Sequence, residues 1–279
     1  MKISNNVALI IPKAFLNAPE YNYLREIIAK YHIEYIIDFG EKGFKGVKIE
    51  TITIGVNSNK SYTSRKSLNR KYTKVISKIR NEELIQLQNN ITDQNFPTWL
   101  LYRSICFDSI VDKMRLGLFN VFRDREITNS MLETTGKIRV LKSRNIGNNE
   151  ILDIVNYDSY IDIKRYNKLS VIQYLNKENV VMIPNLTYYP RATFLPKNCI
   201  VNGSVALLTL KDSKINITEE MLSYFSTPEF SEYYKIARNY GTRSLNIDSS
   251  SVYYFGILKD KINEFERYKQ ISLEIAVTD

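Results

Sequence analysis

Histidine occurs once in the 279 residues, at His32, and cysteine twice, at Cys106 and Cys199. No CxxC spacing exists, so a zinc site of the usual kind is excluded. Both cysteines lie in apolar contexts and read as buried free thiols. His32 has no nucleophile or ligand partner near it in sequence. No apolar run reaches the roughly 18–20 residues that span a bilayer, and Met1–Pro12 lacks a small-residue cleavage site; the expectation is a soluble, cytoplasmic protein with no membrane partner. GxGxxG, GxxxxGK[ST], GxSxG and HExxH are all missing. Asp38-Phe39-Gly40 spells a kinase tripeptide, but no Gly-rich loop or HRD segment accompanies it. The acidic residues are scattered and form no metal cluster, so no complete active site is legible.

What is present is apolar content of 44 %, enough for a core, and an excess of cations: 39 Lys and Arg against 30 Asp and Glu, net +9. A balance of this size points to a polyanionic partner. Tyrosine is abundant, with 20 residues. It joins a flat apolar face to a hydroxyl and suits base stacking, although a compositional bias toward Asn, Ile, Lys and Tyr together produces the same count.

Along the chain, Val7–Ile11 reads as a buried strand ended by Pro12. Pro19 opens a helix whose apolar stripe is Tyr23, Leu24, Ile27 and Ile28, with Arg25, Glu26 and Lys30 facing away. Ile33–Phe39 is a second buried strand. Gly40, Gly43 and Gly46 punctuate a tight connection, and Ile49–Val56 alternates as a third. From Asn57 to Arg80 eight Lys and Arg occur without an acidic residue. That run reads equally as solvated linker and as phosphate-contacting segment. Glu82–Asn90 is a short helix candidate. From about 95 onward the pattern is mixed. Strands are expected at Ile138–Leu141, Ile151–Val155, Val180–Ile183, Cys199–Val201, Val205–Leu210 and Tyr253–Ile257. Helices are expected after a Thr218 N-cap, from Pro228 and over Lys259–Tyr268. Trp99 is expected in a core.

The runs VALIIPKAFL (7–16) and YNYLREIIAKYHIEYIIDFGEKGFKGVKIETITIGV (21–56) resemble the end of the catalytic domain of DNA adenine-N6 methyltransferases from restriction–modification systems. RVLKSRNI (139–146), ILDIVNYDSYI (151–161), ATFLPKNCIVNGSVALLTL (192–210) and NYGTRSLNIDSSSVYYFGI (239–257) resemble, more loosely, target-recognition domains of those enzymes and of type I specificity subunits. The fold the resemblance implies is α/β followed by α+β. Residues 1–56 would be the last strands of a methyltransferase-type sheet completed by a partner chain, 57–94 a basic linker, and 95–279 the recognition domain.

The resemblance places Phe44, in GEKGFKGV, where the family stacks an aromatic ring on the flipped adenine. Extruding a base costs stacking energy that an aromatic face restores; without the resemblance, Phe44 reads as packed under the hairpin. Lys42, Lys45, Lys48, Arg65, Lys66, Arg70 and Lys71 are candidates for the DNA backbone. Lys142, Ser143, Arg144, Asn145, Tyr188, Tyr189, Arg191, Thr242, Arg243 and Ser244 are candidates for base readout, with phosphate contact or plain surface as the competing reading of each.

The family's Asn/Asp-Pro-Pro-Tyr/Phe tetrapeptide and its Gly-rich cofactor loop are absent. The expectation is therefore a split enzyme, or a C-terminal fragment that would look the same. A catalytic partner chain would bind S-adenosylmethionine mainly or wholly, with no metal. Double-stranded DNA would be the substrate, and a restriction endonuclease a possible further partner. Ile10, Ile11, Ile36, Ile37, Ile52 and Ile54 would then need a partner surface. The rival readings are a specificity subunit with no role in the base pocket, and a nuclease subunit, which needs a carboxylate cluster with a Lys.

Overall fold

The computed structural model describes residues 6–46, 48–57, 70–185, 189–212, 214–242 and 246–262. It divides into two compact units, Met1–Phe107 with Lys235–Leu245, and Asp108–Tyr234 with Asn246–Asp279.

The first unit is built on five strands: β1 (Asn6–Pro12), β2 (His32–Gly40), β3 (Thr51–Asn57), β4 (Tyr72–Ser77) and β5 (Glu82–Leu87). Their order is β1-β3-β2-β4-β5. β3 lies antiparallel between β1 and β2, β4 runs parallel to β2, and β5 returns antiparallel. Ile33, Ile36, Ile52, Ile54 and Val75 form its buried interior. Three of the isoleucines expected to need a partner, Ile36, Ile52 and Ile54, are thus covered within the chain. Ile10 on β1 is 62 % exposed. Leu9 is exposed on the same strand, as are Tyr72 on β4 and Ile85 on β5, and β1 has no strand on its outer edge among the described residues.

Two expectations are corrected here. The segment 57–94 is not only linker, because β4 and β5 lie in it. In β4, Thr73, Val75 and Ser77 point inward and Tyr72 and Lys74 outward, an alternation that the density of Lys and Arg obscured. Asn81 takes the left-handed φ of 55° that the tight β4–β5 turn needs. The helix expected over Glu82–Asn90 shrinks to α2 (Gln88–Ile91).

The helix α1 (Asn22–Ala29) exists, with Glu26 and Lys30 exposed and Ile27 and Ile28 half-buried, but its one buried residue is Arg25. Arg25 is 4 % exposed, whereas Tyr23 is 72 % exposed. The guanidinium donates to the carbonyls of Phe15 (2.6 Å), Ala18 (2.9 Å) and Pro97 (3.0 Å) and to Asn22 Oδ1. Carbonyls from three separate stretches of chain converge there, and a five-donor fork serves them where an apolar residue does not. Trp99 packs edge-on against Phe15, centroids 5.5 Å apart.

The second unit carries the strands β6 (Met114–Arg115), β7 (Phe119–Phe122), β8 (Ile138–Leu141), β9 (Ser159–Ile161), β10 (Val180–Pro184), β11 (Thr193–Phe194), β12 (Cys199–Val201), β13 (Val205–Leu210) and β14 (Ile257–Leu258). They form sheets ordered β11-β10-β13-β7, β12-β8-β9 and β14-β6. Val140, Ile200, Met182 and Leu207 belong to the core that joins the first two sheets. Phe225, Tyr233 and Phe255 surround Phe230 at centroid distances of 5.0–5.6 Å, a second, aromatic core. That core explains why Tyr253–Ile257 is a 3-10 turn (Val252–Tyr254) rather than a strand: Tyr254 and Phe255 are both drawn inward. Ile151–Val155 is likewise a loop, held by one bridge, Ile146 to Ile151. Thr218 caps the helix Glu219–Ser223 through Met221 N–H, and Pro228 begins the helix Pro228–Ala237. Cys199 is buried as expected, but Cys106 is exposed.

The expected 95–279 domain is also redrawn. Residues 95–107 and 235–245 belong with the N-terminal sheet. No helix among the described residues is long and apolar enough to cross a membrane.

Candidate functional site

The connection between β2 and β3 starts at Gly40, where φ is +53° and a Cβ would stand 2.3 Å from Ile79 Cγ2. Glycine is required there both for the left-handed turn and for the approach of the β4–β5 hairpin. Phe44 sits in the turn with 49 % of its surface exposed. A ring packed under the hairpin would be covered; this one is half presented. Lys45 and Lys48 are exposed, and Lys42 Nζ donates to the Lys78 carbonyl at 3.3 Å. Lys78 and Arg80, outside the expected set, are exposed on the adjoining hairpin turn and belong to the same cationic rim. Arg70 is exposed and Lys71 half-buried, and Arg65 and Lys66 lie outside the described residues.

Behind the turn lies a buried polar network at the C-terminal ends of β1 and β2, which sequence patterning did not reveal. Asp38 is fully buried and Lys13 is 2 % exposed. Lys13 Nζ donates to Asp38 Oδ2 at 2.7 Å and lies 3.8 Å from Glu50 Oε1. The Tyr102 hydroxyl donates to Asp38 Oδ2 at 2.7 Å and lies 2.8 Å from Ser77 Oγ, and Gly40 N–H donates to Asp38 Oδ1 at 3.0 Å. Burial, and then the charge of Asp38, push the Tyr102 hydroxyl far above the usual tyrosine range, so it stays a proton donor. A Lys followed by Phe just past an apolar strand, and an Asp closing another, were the only available signals.

Of the expected readout residues, Thr242 is drawn into this unit. Its N–H donates to both oxygens of Glu50, at 3.1 Å each, and its hydroxyl donates to Glu41 Oε1 at 3.0 Å. Arg243 and Ser244 lie outside the described residues. The Arg80 guanidinium stands 4.2 Å from the centre of the Tyr240 ring and 5.7 Å from that of Tyr102, a cation–π arrangement.

The other candidates belong to the second unit. Asn145 is fully buried. Its amide donates to Asp158 Oδ1 (2.6 Å) and the Leu152 carbonyl (3.0 Å), and its oxygen accepts from Lys142 N–H (3.0 Å). Lys142 Nζ donates to Ser159 Oγ at 2.8 Å and to the Tyr157 carbonyl, above the Tyr157 ring. Ser143 N–H donates to Ser204 Oγ at 3.0 Å. Arg191 donates to the carbonyls of Ile146 (2.5 Å) and Ser143 (3.3 Å), and burial holds its guanidinium below the usual range. Asn145, Lys142 and Arg191 therefore build the loop rather than project from it. Arg144 and Tyr189 are exposed, and Tyr188 lies outside the described residues.

No protein-family model matches the chain, and neither does any curated protein. Among solved structures it is similar to the type IIG restriction endonuclease BpuSI, with a TM-score of 0.37 and 11 % identity over 91 % of this chain. It is also similar to the type IIL restriction-modification enzyme MmeI in complex with DNA, with a TM-score of 0.44 and 13 % identity over 89 % of this chain. The matches span 40 % and 38 % of those longer chains. Neither likeness carries an argument at these scores, so function rests on the residues themselves.

Chemically, the described residues contain no group of three His, Cys, Asp or Glu suited to a metal. Nor do they fit S-adenosylmethionine. A cavity of about 890 Å³ is lined by Asn22, Arg25, Glu26, Lys30, Asp93 and Trp99 among others. It has no glycine turn between strand and helix to admit a cofactor, and Arg25 is already committed to backbone carbonyls. What the first unit offers is a presented aromatic ring, a cationic rim and a rigid polar base.

Proposed function

We propose that this chain is the DNA-recognition subunit of a site-specific DNA adenine-N6 methyltransferase of a restriction–modification system. It supplies one wall of the target-base pocket, and a partner chain binds S-adenosylmethionine, the methyl donor, and catalyses transfer. The observation that carries the reading is Phe44, half exposed in a turn anchored on the buried Lys13–Asp38–Tyr102 network. Ligands of α/β sheets bind beyond the carboxyl ends of their strands, and Phe44 follows the end of β2. A flipped adenine stacked there would have Lys42, Lys45, Lys48 and Lys78 near its flanking phosphates. The order β1-β3-β2, with β3 antiparallel in the middle, supports the same reading, as does the apolar outer edge of β1. A catalytic chain adding its sheet there would cover Leu9 and Ile10.

The test is co-expression with the product of the adjacent upstream gene and tritiated-methyl transfer to duplex DNA, using each chain alone and both together. Transfer by the pair alone supports the reading. Full transfer by the upstream chain alone removes this chain from the pocket and leaves the specificity-subunit alternative.

A further inference from the structure

The segment 239–242 returns to the first unit from far along the sequence and meets the Phe44 turn at both ends. Glu41 is the first residue after β2, and Glu50 the last before β3. Thr242 binds both, its N–H donating to Glu50 and its hydroxyl to Glu41. The segment is itself firmly held. Asn239 is fully buried; its amide donates to Asn17 Oδ1 (2.9 Å) and the Trp99 carbonyl (2.7 Å), and its oxygen accepts from Leu101 N–H (2.8 Å). Asn239 and Tyr240 both take left-handed φ, 51° and 50°. That conformation is uncommon for a tyrosine and persists only where its surroundings over-determine it. The Tyr240 ring is fixed edge-on to Tyr102, 5.2 Å between centroids, and Tyr102 bonds Asp38.

We infer that Thr242 is a clasp for the base-stacking turn: by joining Glu41 to Glu50 it is a positioning residue that fixes the angle at which Phe44 is presented. The inference rests on the proposed base-pocket role of Phe44. Buried charges such as Lys13, Asp38 and Glu50 contribute little net stability but can specify one geometry, which is what a presented ring requires.

The experiment has two parts. Hydrogen exchange of the full-length chain compares wild type with Thr242→Val, Thr242→Ser and Glu50→Gln. Amides of residues 41–46 are expected to exchange at least five-fold faster in Thr242→Val and Glu50→Gln, with β2 and β3 unchanged and Thr242→Ser restored. Unaltered exchange in both variants, or acceleration spread across the whole sheet, overturns the clasp. The co-expressed complex is then titrated with the duplex it methylates, carrying 2-aminopurine at the target adenine. The expected result is a several-fold smaller fluorescence rise for Thr242→Val, DNA affinity within two-fold, and recovery in Thr242→Ser. Loss of affinity in parallel with the signal overturns the positioning role. A turn that loosens while Phe44→Ala leaves the 2-aminopurine signal intact keeps the clasp and rejects the pocket.

Discussion

Asn145 donates its side-chain amide to Asp158 at 2.6 Å, inside the loop it was expected to project from. Removing a buried partner leaves the other polar groups unsatisfied, at about 1–3 kcal/mol. Asn145→Ala is therefore expected to lower the unfolding free energy read from urea denaturation by that amount, with a matching fall in the midpoint. Arg144→Ala, on the exposed side of the same loop, is expected to leave the midpoint alone and reduce the salt slope of DNA binding by about 1. Equal stability of the two variants contradicts the assignment.

The same carboxylate predicts a pH dependence. Burial alone would raise the Asp158 carboxyl, but the bonds from Ile154 N–H, Asn145 and Arg139 outweigh it and hold it below the usual carboxylate range. A depressed folded value contributes stability above the unfolded one and loses it as pH falls through the folded one. Protection of loop amides 143–158 is expected to hold from neutral pH down to the ordinary carboxylate range and to fall below it. Asp158→Asn is expected to remove that acid step.

At the buried network, Lys13→Met leaves Asp38 without its cation. Breaking a buried pair costs about 3–5 kcal/mol, whereas replacing both members by apolar groups is often far milder. Chemical denaturation is expected to show Lys13→Met/Asp38→Leu less destabilised than the sum of the single variants. Strict additivity would mean that the two side chains do not act as a pair.

On the open side of the first unit, Ile10→Glu with Leu24→Glu changes exposed positions only. Stability is expected to stay within about 0.5 kcal/mol. Co-purification with the catalytic chain is expected to fail. Retained association would place the partner elsewhere.

For the pocket, stacking a base on an aromatic ring is worth about 1–3 kcal/mol. Phe44→Ala is expected to lower methyl transfer by about 5–150-fold, and Phe44→Trp to preserve most of it. Undiminished transfer by Phe44→Ala would reject the stacking role.

Much of the first unit was legible because its signals are local. IEYIIDF and the glycine-punctuated turn name their own structures, whereas VALII forms the expected strand without the expected burial. The burial of Arg25 on α1 was not legible: it is covered by carbonyls brought from Phe15, Ala18 and Pro97, and no hydropathy pattern records where carbonyls converge. β4 was hidden because it lies in a dense run of Lys and Arg. Among the site residues, Phe44 was singled out through the family resemblance alone, since its turn by itself reads as a ring packed under the hairpin. Asp38, Tyr102 and Thr242 form one site only through contacts between residues as far as 201 positions apart.

The return of residues 239–242 also sets a timetable. Asn17 and Asn239, 222 positions apart, are bonded in the finished sheet unit. Contacts this distant in sequence make folding slow. At about 5–20 residues per second of synthesis, the N-terminal strands wait on the order of ten seconds or more for the segment that pins them. The Phe44 turn is thus among the last parts of the first unit to mature, and a nascent chain halted before residue 239 carries a sheet still unlatched.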